Sequence, residues 1–222
     1  MSDDAGGADG VPEGGGSIGR RARRAIITGA SSGIGRELAI ELARRGWRTA
    51  LTARNAEALE QTAAAVRSAG GEALVVPGDV TRPEDLERAV RTALEAWGGI
   101  DLAVANAGQG FPTPVAHLDL PAATALMRTN FEGTLNLLAA VVPHMIERRS
   151  GQFVGIASLA GWRGLPGTGV YSASKAAMQA LLEAARVELA PHGVAVTKIN
   201  PGFIRTAMTA KNRFPMPFLM DV

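Results

Sequence analysis

The sequence predicts an α/β protein built on a doubly wound parallel sheet of six strands, and two observations carry the prediction. From Ala25 onward, short apolar runs alternate with longer amphipathic stretches, the alternation expected of βαβ units. Most of the runs are continuously apolar, as strands covered by helices on both faces must be. The expected strands are Ala25–Thr28, Arg48–Thr52, Ala73–Val76, Leu102–Ala105, Phe153–Ala157 and Val194–Ile199. Between them, helical patterns begin near Gly33, Ala56, Pro83, Leu120 and Tyr171. Proline suits the first helical turn, so Pro83 and Pro121 mark helix starts, with Thr81 and Asp119 available as caps.

Composition narrows the function classes. A chain of 222 residues, 46% hydrophobic and 20% charged, fits one sizeable globular domain. The absence of cysteine excludes disulfides and thiolate chemistry. His117, His144 and His192 are far apart and in no ligand-like spacing, so no metal site is expected. A net charge of +2 gives no nucleic-acid footprint. No run of about 18 apolar residues offers a membrane span, and no apolar stretch of a secretory signal precedes the first strand, so a cytoplasmic location is expected. Residues 1–19 are rich in Gly, Asp, Ala and Ser without apolar period and are expected to be a disordered tail, leaving residues 20–222 as the folded domain. The basic cluster Arg20, Arg21, Arg23 and Arg24 is expected to flank and solubilise the first strand.

Two motifs carry chemistry. The first strand runs into Thr28-Gly29-Ala30-Ser31-Ser32-Gly33-Ile34-Gly35, and a helix follows. Glycines there allow a tight turn and close approach to a pyrophosphate, whose charge the free N–H groups of the helix start can bind. Further on, Tyr171, the sole tyrosine, stands four residues before Lys175, one of three lysines. On a helix the two share a face, so a phenol and an ammonium can act on one ligand. The ammonium and the helix N-terminus are expected to lower the phenol's pKa and make Tyr171 a usable acid or base.

The spacing of Gly29, Gly33 and Gly35 resembles the T-G-x-x-x-G-x-G loop of the short-chain dehydrogenases/reductases, and Tyr171-x-x-x-Lys175 resembles that family's catalytic pair. Other matches follow in order: Asp79-Val80 after the third strand, Asn106-Ala107-Gly108 after the fourth, Asn130 in the long helix, Ser158 at the end of the fifth strand, and Pro201-Gly202 with Ile204 and Thr206 after the sixth. The resemblance spans roughly Arg24 to Thr206 and implies a Rossmann fold and NAD(P)-dependent oxidoreductase activity on CH–OH and C=O groups. It implies a catalytic set of Asn130, Ser158, Tyr171 and Lys175. Tyr171 would exchange a proton with the substrate oxygen, Ser158 would donate to that oxygen, Lys175 would hold the nicotinamide ribose, and Asn130 would hold a relay water. Gly29, Ser31, Ser32, Gly33, Ile34 and Gly35 would bind the pyrophosphate side of the cofactor. Asp79 and Val80 would meet the adenine, while Asn106, Ala107 and Gly108 would support the cofactor and sheet. Pro201, Gly202, Ile204 and Thr206 would complete the cofactor site.

The end of the second strand favours NADP over NAD. An acid there would accept from an NAD ribose and repel the 2′-phosphate of NADP, but the sequence is Thr52-Ala53-Arg54-Asn55. Arg54 can pair with a phosphate, and Arg36 can add positive charge. The segments from Gln109 to Pro112, from Leu159 to Gly169 and from Phe203 to Phe218 are expected to line a site for a small apolar carbonyl or alcohol. The family pattern continues beyond Thr206 through further helices and a seventh strand. A chain ending at Val222 is therefore expected to lack its last helix and strand, and homo-oligomers are expected of a longer chain. A non-catalytic NADP-binding module and an epimerase or dehydratase are the alternative functions.

Overall fold

The computed structural model describes residues 22–212 and 215–222. The expected N-terminal tail, Arg20, Arg21 and Phe214 lie outside the described residues. Six parallel strands run in the order β3-β2-β1-β4-β5-β6: β1 (Arg24–Thr28), β2 (Arg48–Thr52), β3 (Glu72–Val75), β4 (Leu102–Ala105), β5 (Gly151–Ile156) and β6 (Val194–Ile199). The helices are α1 (Gly33–Arg44), α2 (Ala56–Ser68), α3 (Pro83–Trp97), α4 (Leu120–Met127), α5 (Gly133–Arg148) and α6 (Gly169–Leu189). This is the doubly wound, Rossmann-type architecture, whose strand order reverses between β1 and β4. β5 begins two residues earlier than its apolar run, because Gln152, though exposed, still pairs with Leu102 and Ala195 in the ladder.

Successive strand residues point to opposite faces, so each strand feeds two cores. Ala25 and Ile27 of β1 join Ile40, Leu59 and Val66 of α1 and α2 on one side. Ile26 joins Leu86, Leu137, Met145, Met178 and Leu182 of α3, α5 and α6 on the other. Burial of each such aliphatic side chain contributes about 2 kcal/mol. That double burial is why the strands read as continuous apolar runs.

Helix starts depart from expectation in one place. Asp119 caps α4 by accepting from the Ala122 N–H, but Thr81 does not cap α3. Its N–H and hydroxyl both donate to Asp79 Oδ1, closing a local turn two residues before the helix. α3 instead begins with Glu84 and Asp85 in its first turn, where carboxylates meet the positive end of the helix dipole.

Arg24 also corrects the sequence reading: it does not solubilise the first strand but is buried as its first residue. Its Nε and Nη2 grip Asp101 at 2.8 and 2.7 Å, its Nη1 donates to the Trp97 carbonyl, and Arg148 adds a second guanidinium to Asp101 at 3.1 Å. Burial pushes the Asp101 carboxyl up, but the bonds from Arg24 and Arg148 outweigh it and bring it down to about 2. The depressed value means stability that is present above the ordinary carboxylate range and lost as pH falls through about 2. Asp101→Asn is expected to cost about 2 kcal/mol in urea unfolding at pH 7, with the difference shrinking below pH 4. A difference that persists undiminished at pH 2 would overturn this account.

Candidate active site

The C-terminal ends of the strands surround a cavity of about 490 Å3. In open parallel sheets, ligands bind outside these ends where the strand order reverses. Every catalytic or cofactor-binding residue predicted from sequence lines it except Gly35 and Asn130. The floor is built at the β1–β4 junction. Thr28 Oγ1 accepts from the N–H groups of Asn106 and Ala107, each at 3.0 Å, and donates to Val104 O at 3.2 Å. A hydroxyl has one donor and two acceptor positions, so this one is fully committed. Asn106 Nδ2 completes the joint by donating to the carbonyls of Thr28 and Gly29. Asn106 thus braces the loop with both of its amide hydrogens.

The loop itself is shaped by what its glycines leave empty. Gly29 has φ +65, and a Cβ on it would stand 2.7 Å from the Ala107 backbone. A Cβ on Gly35 would meet Asn106 Nδ2 at 2.4 Å and the Gly29 carbonyl at 2.6 Å. Gly35 therefore acts on the site from beneath, by letting α1 start against the loop. No side chain caps α1, so its first N–H groups are left for a ligand. A glycine cradle opening onto an uncapped helix start fits a pyrophosphate.

Along the adenine-side wall, Ala53, Arg54 and Asp79 follow one another. Arg54 is exposed, and among the described residues it makes no ion pair or hydrogen bond. Arg36, the other candidate cation, is paired with neighbouring Glu37 and so is not a free charge for the site. Asp79 Oδ1 is occupied by Thr81, while its N–H donates to Asp85 Oδ2 at 2.8 Å.

At the other end stand Ser158, Tyr171 and Lys175. Tyr171 lies in the first turn of α6 and lines the cavity together with Ser158. Ser158 begins a 3-10 turn, Leu159–Gly161, and its Oγ accepts from the Ala160 N–H. Lys175 is buried, and its Nζ donates to Ile156 O at 2.8 Å, leaving two further hydrogens. The ammonium lies 5.9 Å from the Tyr171 ring centroid.

The expected lowering of the Tyr171 pKa is not met. Burial raises the phenol above its ordinary value, only partly offset by the Ser158 side chain. Lys175 is itself depressed by burial to about 8, and its ammonium is held by Ile156. Desolvation, which disfavours either charged form, here outweighs the attraction that proximity alone suggested.

Asn130 interrupts the expected long helix. It lies in a single π turn, Arg128–Glu132, between α4 and α5, and is wholly buried. Such turns often occur at functional sites. Its Oδ1 accepts from the Gln109 N–H at 2.8 Å, while Nδ2 donates to Gln109 O and to Ser174 Oγ at 3.0 and 2.9 Å. Ser174 in turn donates to Tyr171 O at 2.7 Å. Asn130 thus positions the wall at Gln109 without lining the cavity. A relay that used its amide hydrogens would find both committed.

The substrate-lining expectation is met unevenly. Gln109 and the stretch from Ile204 to Thr209 reach the cavity, but Leu159 to Gly169 do not line it, and Trp162 and Leu165 face outward. Met208 lies in the expected segment from Phe203 to Phe218, while Thr129 is a lining residue that no motif marked. Met208 approaches from the segment after β6; beside Gly110, a Cβ would meet its Sδ at 3.3 Å and the Tyr171 ring at 3.4 Å. The described residues contain no group of three acidic or histidine side chains able to hold a metal, and no described helix is long and apolar enough to cross a membrane.

A glycine cradle at the switch point, in one cavity with a buried lysine, a tyrosine and a serine, defines a nicotinamide-dependent oxidoreductase site on a Rossmann-type sheet. The chain belongs to the short-chain dehydrogenase family, whose pattern it matches over residues 23–216. An uncharacterised oxidoreductase of Myxococcus xanthus is 44% identical over 199 residues, spanning 90% of this chain and 79% of its own. An NAD+-bound xylitol dehydrogenase superposes with a TM-score of 0.81 at 36% identity, over 84% of this chain and 72% of that one. A variant of actinorhodin polyketide ketoreductase with NADPH gives 0.82 at 34% identity, over 85% and 73%.

The buried lysine makes a prediction independent of turnover. Its folded pKa of about 8 lies below the ordinary lysine value of 10.5, so the unfolded chain binds more protons between the two. In urea titrations, the wild-type chain is expected to gain up to about 3 kcal/mol relative to Lys175→Met as pH rises from about 8 to about 10.5. A difference independent of pH over that range would contradict a desolvated ammonium.

Proposed function

We propose that the chain is an NADP(H)-dependent oxidoreductase that interconverts a small, largely apolar carbonyl compound and its secondary alcohol. The observation that carries this reading is that Ser158, Tyr171 and Lys175 line the same cavity that begins at the glycine cradle. The bound nicotinamide would supply the hydride chemistry. The chain's own residues do the rest. Gly29 to Gly35 would hold the pyrophosphate, Asp79 and Val80 the adenine, and Pro201, Gly202, Ile204 and Thr206 the nicotinamide side. Lys175 would use its two free hydrogens on the ribose.

In the reduction direction Tyr171 must carry its proton, as a phenol does at neutral pH. Tyr171 Oη would give that proton to the substrate oxygen as negative charge develops, and Ser158 Oγ would donate a hydrogen bond to the same atom. Met208, a lining residue whose Sδ lies near Gly110 as the Tyr171 ring does, supports an apolar substrate next to that ring. The preference for NADP rests on Arg54, exposed and unpaired among the described residues, and on Ala53 standing where an acid would oppose a 2′-phosphate. A cytoplasmic location and a homo-oligomeric state belong to the same reading, by analogy with the family.

NADPH absorbance followed against a panel of ketones and aldehydes tests the activity; no oxidation with any of them would overturn it. Tyr171→Phe is expected to lower kcat by about a hundredfold or more while NADPH binding persists. Substantial turnover in that variant would remove Tyr171 from the role of acid. Ala53→Asp is expected to shift relative kcat/KM toward NAD by about tenfold or more, and an unchanged ratio would sink the cofactor assignment.

A further inference from the structure

Two turns beyond Tyr171, Gln179 continues the face of α6 that carries Tyr171 and Lys175, since all three are spaced by four. It is a polar side chain only 6% exposed, and a buried amide needs a partner. Its Nε2 donates to Ser158 O at 2.7 Å. The three side chains thus address one short stretch of chain: Lys175 bonds Ile156 O, Gln179 bonds the Ser158 carbonyl, and Tyr171 shares the cavity wall with Ser158. The same carbonyl also accepts from the Gly161 N–H at 3.1 Å, so both of its lone pairs are in use.

Gly161 supplies an independent observation. A Cβ there would stand 2.4 Å from Gln179 Nε2, 2.9 Å from the Lys175 carbonyl carbon and 3.0 Å from the Ala176 nitrogen. The turn from Ser158 to Gly161 therefore lies flush on the backbone of α6, with no room for a side chain between them. Without the Gln179 bond, only the bond inside the turn would hold the Ser158 carbonyl. The turn could then lift from the helix, and the Ser158 hydroxyl would lose its fixed aim toward Tyr171.

We infer that Gln179 and Gly161 are positioning residues that clamp the Ser158 turn onto α6 and so aim the Ser158 hydroxyl at the reacting oxygen. The inference rests on the role proposed for Ser158. Gln179→Met keeps the length of the side chain and removes its donor. Its kcat for NADPH-dependent reduction is expected to fall roughly ten- to a hundredfold, with the Kd for NADPH by fluorescence titration unchanged. In a Ser158→Ala background the same substitution is expected to have almost no further effect, because a residue acting through Ser158 has nothing left to aim. Gly161→Ala, which lifts the turn by bulk instead, is expected to lower kcat in the same way. In the protein without cofactor, amide hydrogen exchange over residues 159–162 is expected to be faster in both variants. An unchanged kcat in Gln179→Met, an undiminished loss in the Ser158→Ala background, or exchange equal to wild type would each overturn the clamp. A wild-type chain inactive on every carbonyl would count against the proposed activity instead, and the exchange measurement would still decide the clamp.

Discussion

One threonine hydroxyl holds together the place where this fold can bind anything. Thr28 Oγ1 uses its whole hydrogen-bonding capacity to join the end of β1 to the chain leaving β4. Parallel strands diverge at their C-terminal ends, where each chain turns away into its own crossover. At the point where the strand order reverses, the two crossovers leave in opposite directions and a crevice opens. The Thr28 and Asn106 bonds keep that crevice at a fixed width, and Gly29 and Gly35 keep it empty of side chains. Cofactor cradle and substrate wall are both built out from this joint.

The residues to which the chemistry is proposed to fall meet at a second joint, between α6 and the exit of β5. On a single helical stripe with Tyr171, Lys175 bonds the Ile156 carbonyl and Gln179 the Ser158 carbonyl. Burying an ammonium is unfavourable, and the depressed pKa of Lys175 records that cost. The core on one face of the sheet holds the helix in place despite it, with Met178 and Leu182 on this helix among its members. Function here draws on stability supplied elsewhere in the sheet.

A third set of bonds links the substrate wall to the catalytic helix. Asn130 takes hold of both backbone groups of Gln109 and of Ser174, which in turn holds the Tyr171 carbonyl. The wall and the first turn of α6 therefore move as one piece. The π turn at Asn130 brings its amide into reach, at the expense of regular helix hydrogen bonding.

The alternation of apolar runs and amphipathic stretches by itself determined the strands, the helices and their parallel arrangement, because burial on both sheet faces leaves its period in the sequence. Local motifs likewise determined the cradle and the Tyr171–Lys175 face, since both depend on residues close together in the chain. Only the tertiary structure decided what depends on distant partners. Arg24 reads as a solvated charge until Asp101, 77 residues away, is brought to it. Thr81 reads as a cap until Asp79 takes both its donors. The Tyr171 pKa reads as lowered until burial is counted, since desolvation is a property of packing and not of spacing. Gln179 reads as one more polar helix residue, and only the return of β5 beside α6 places the Ser158 carbonyl against it.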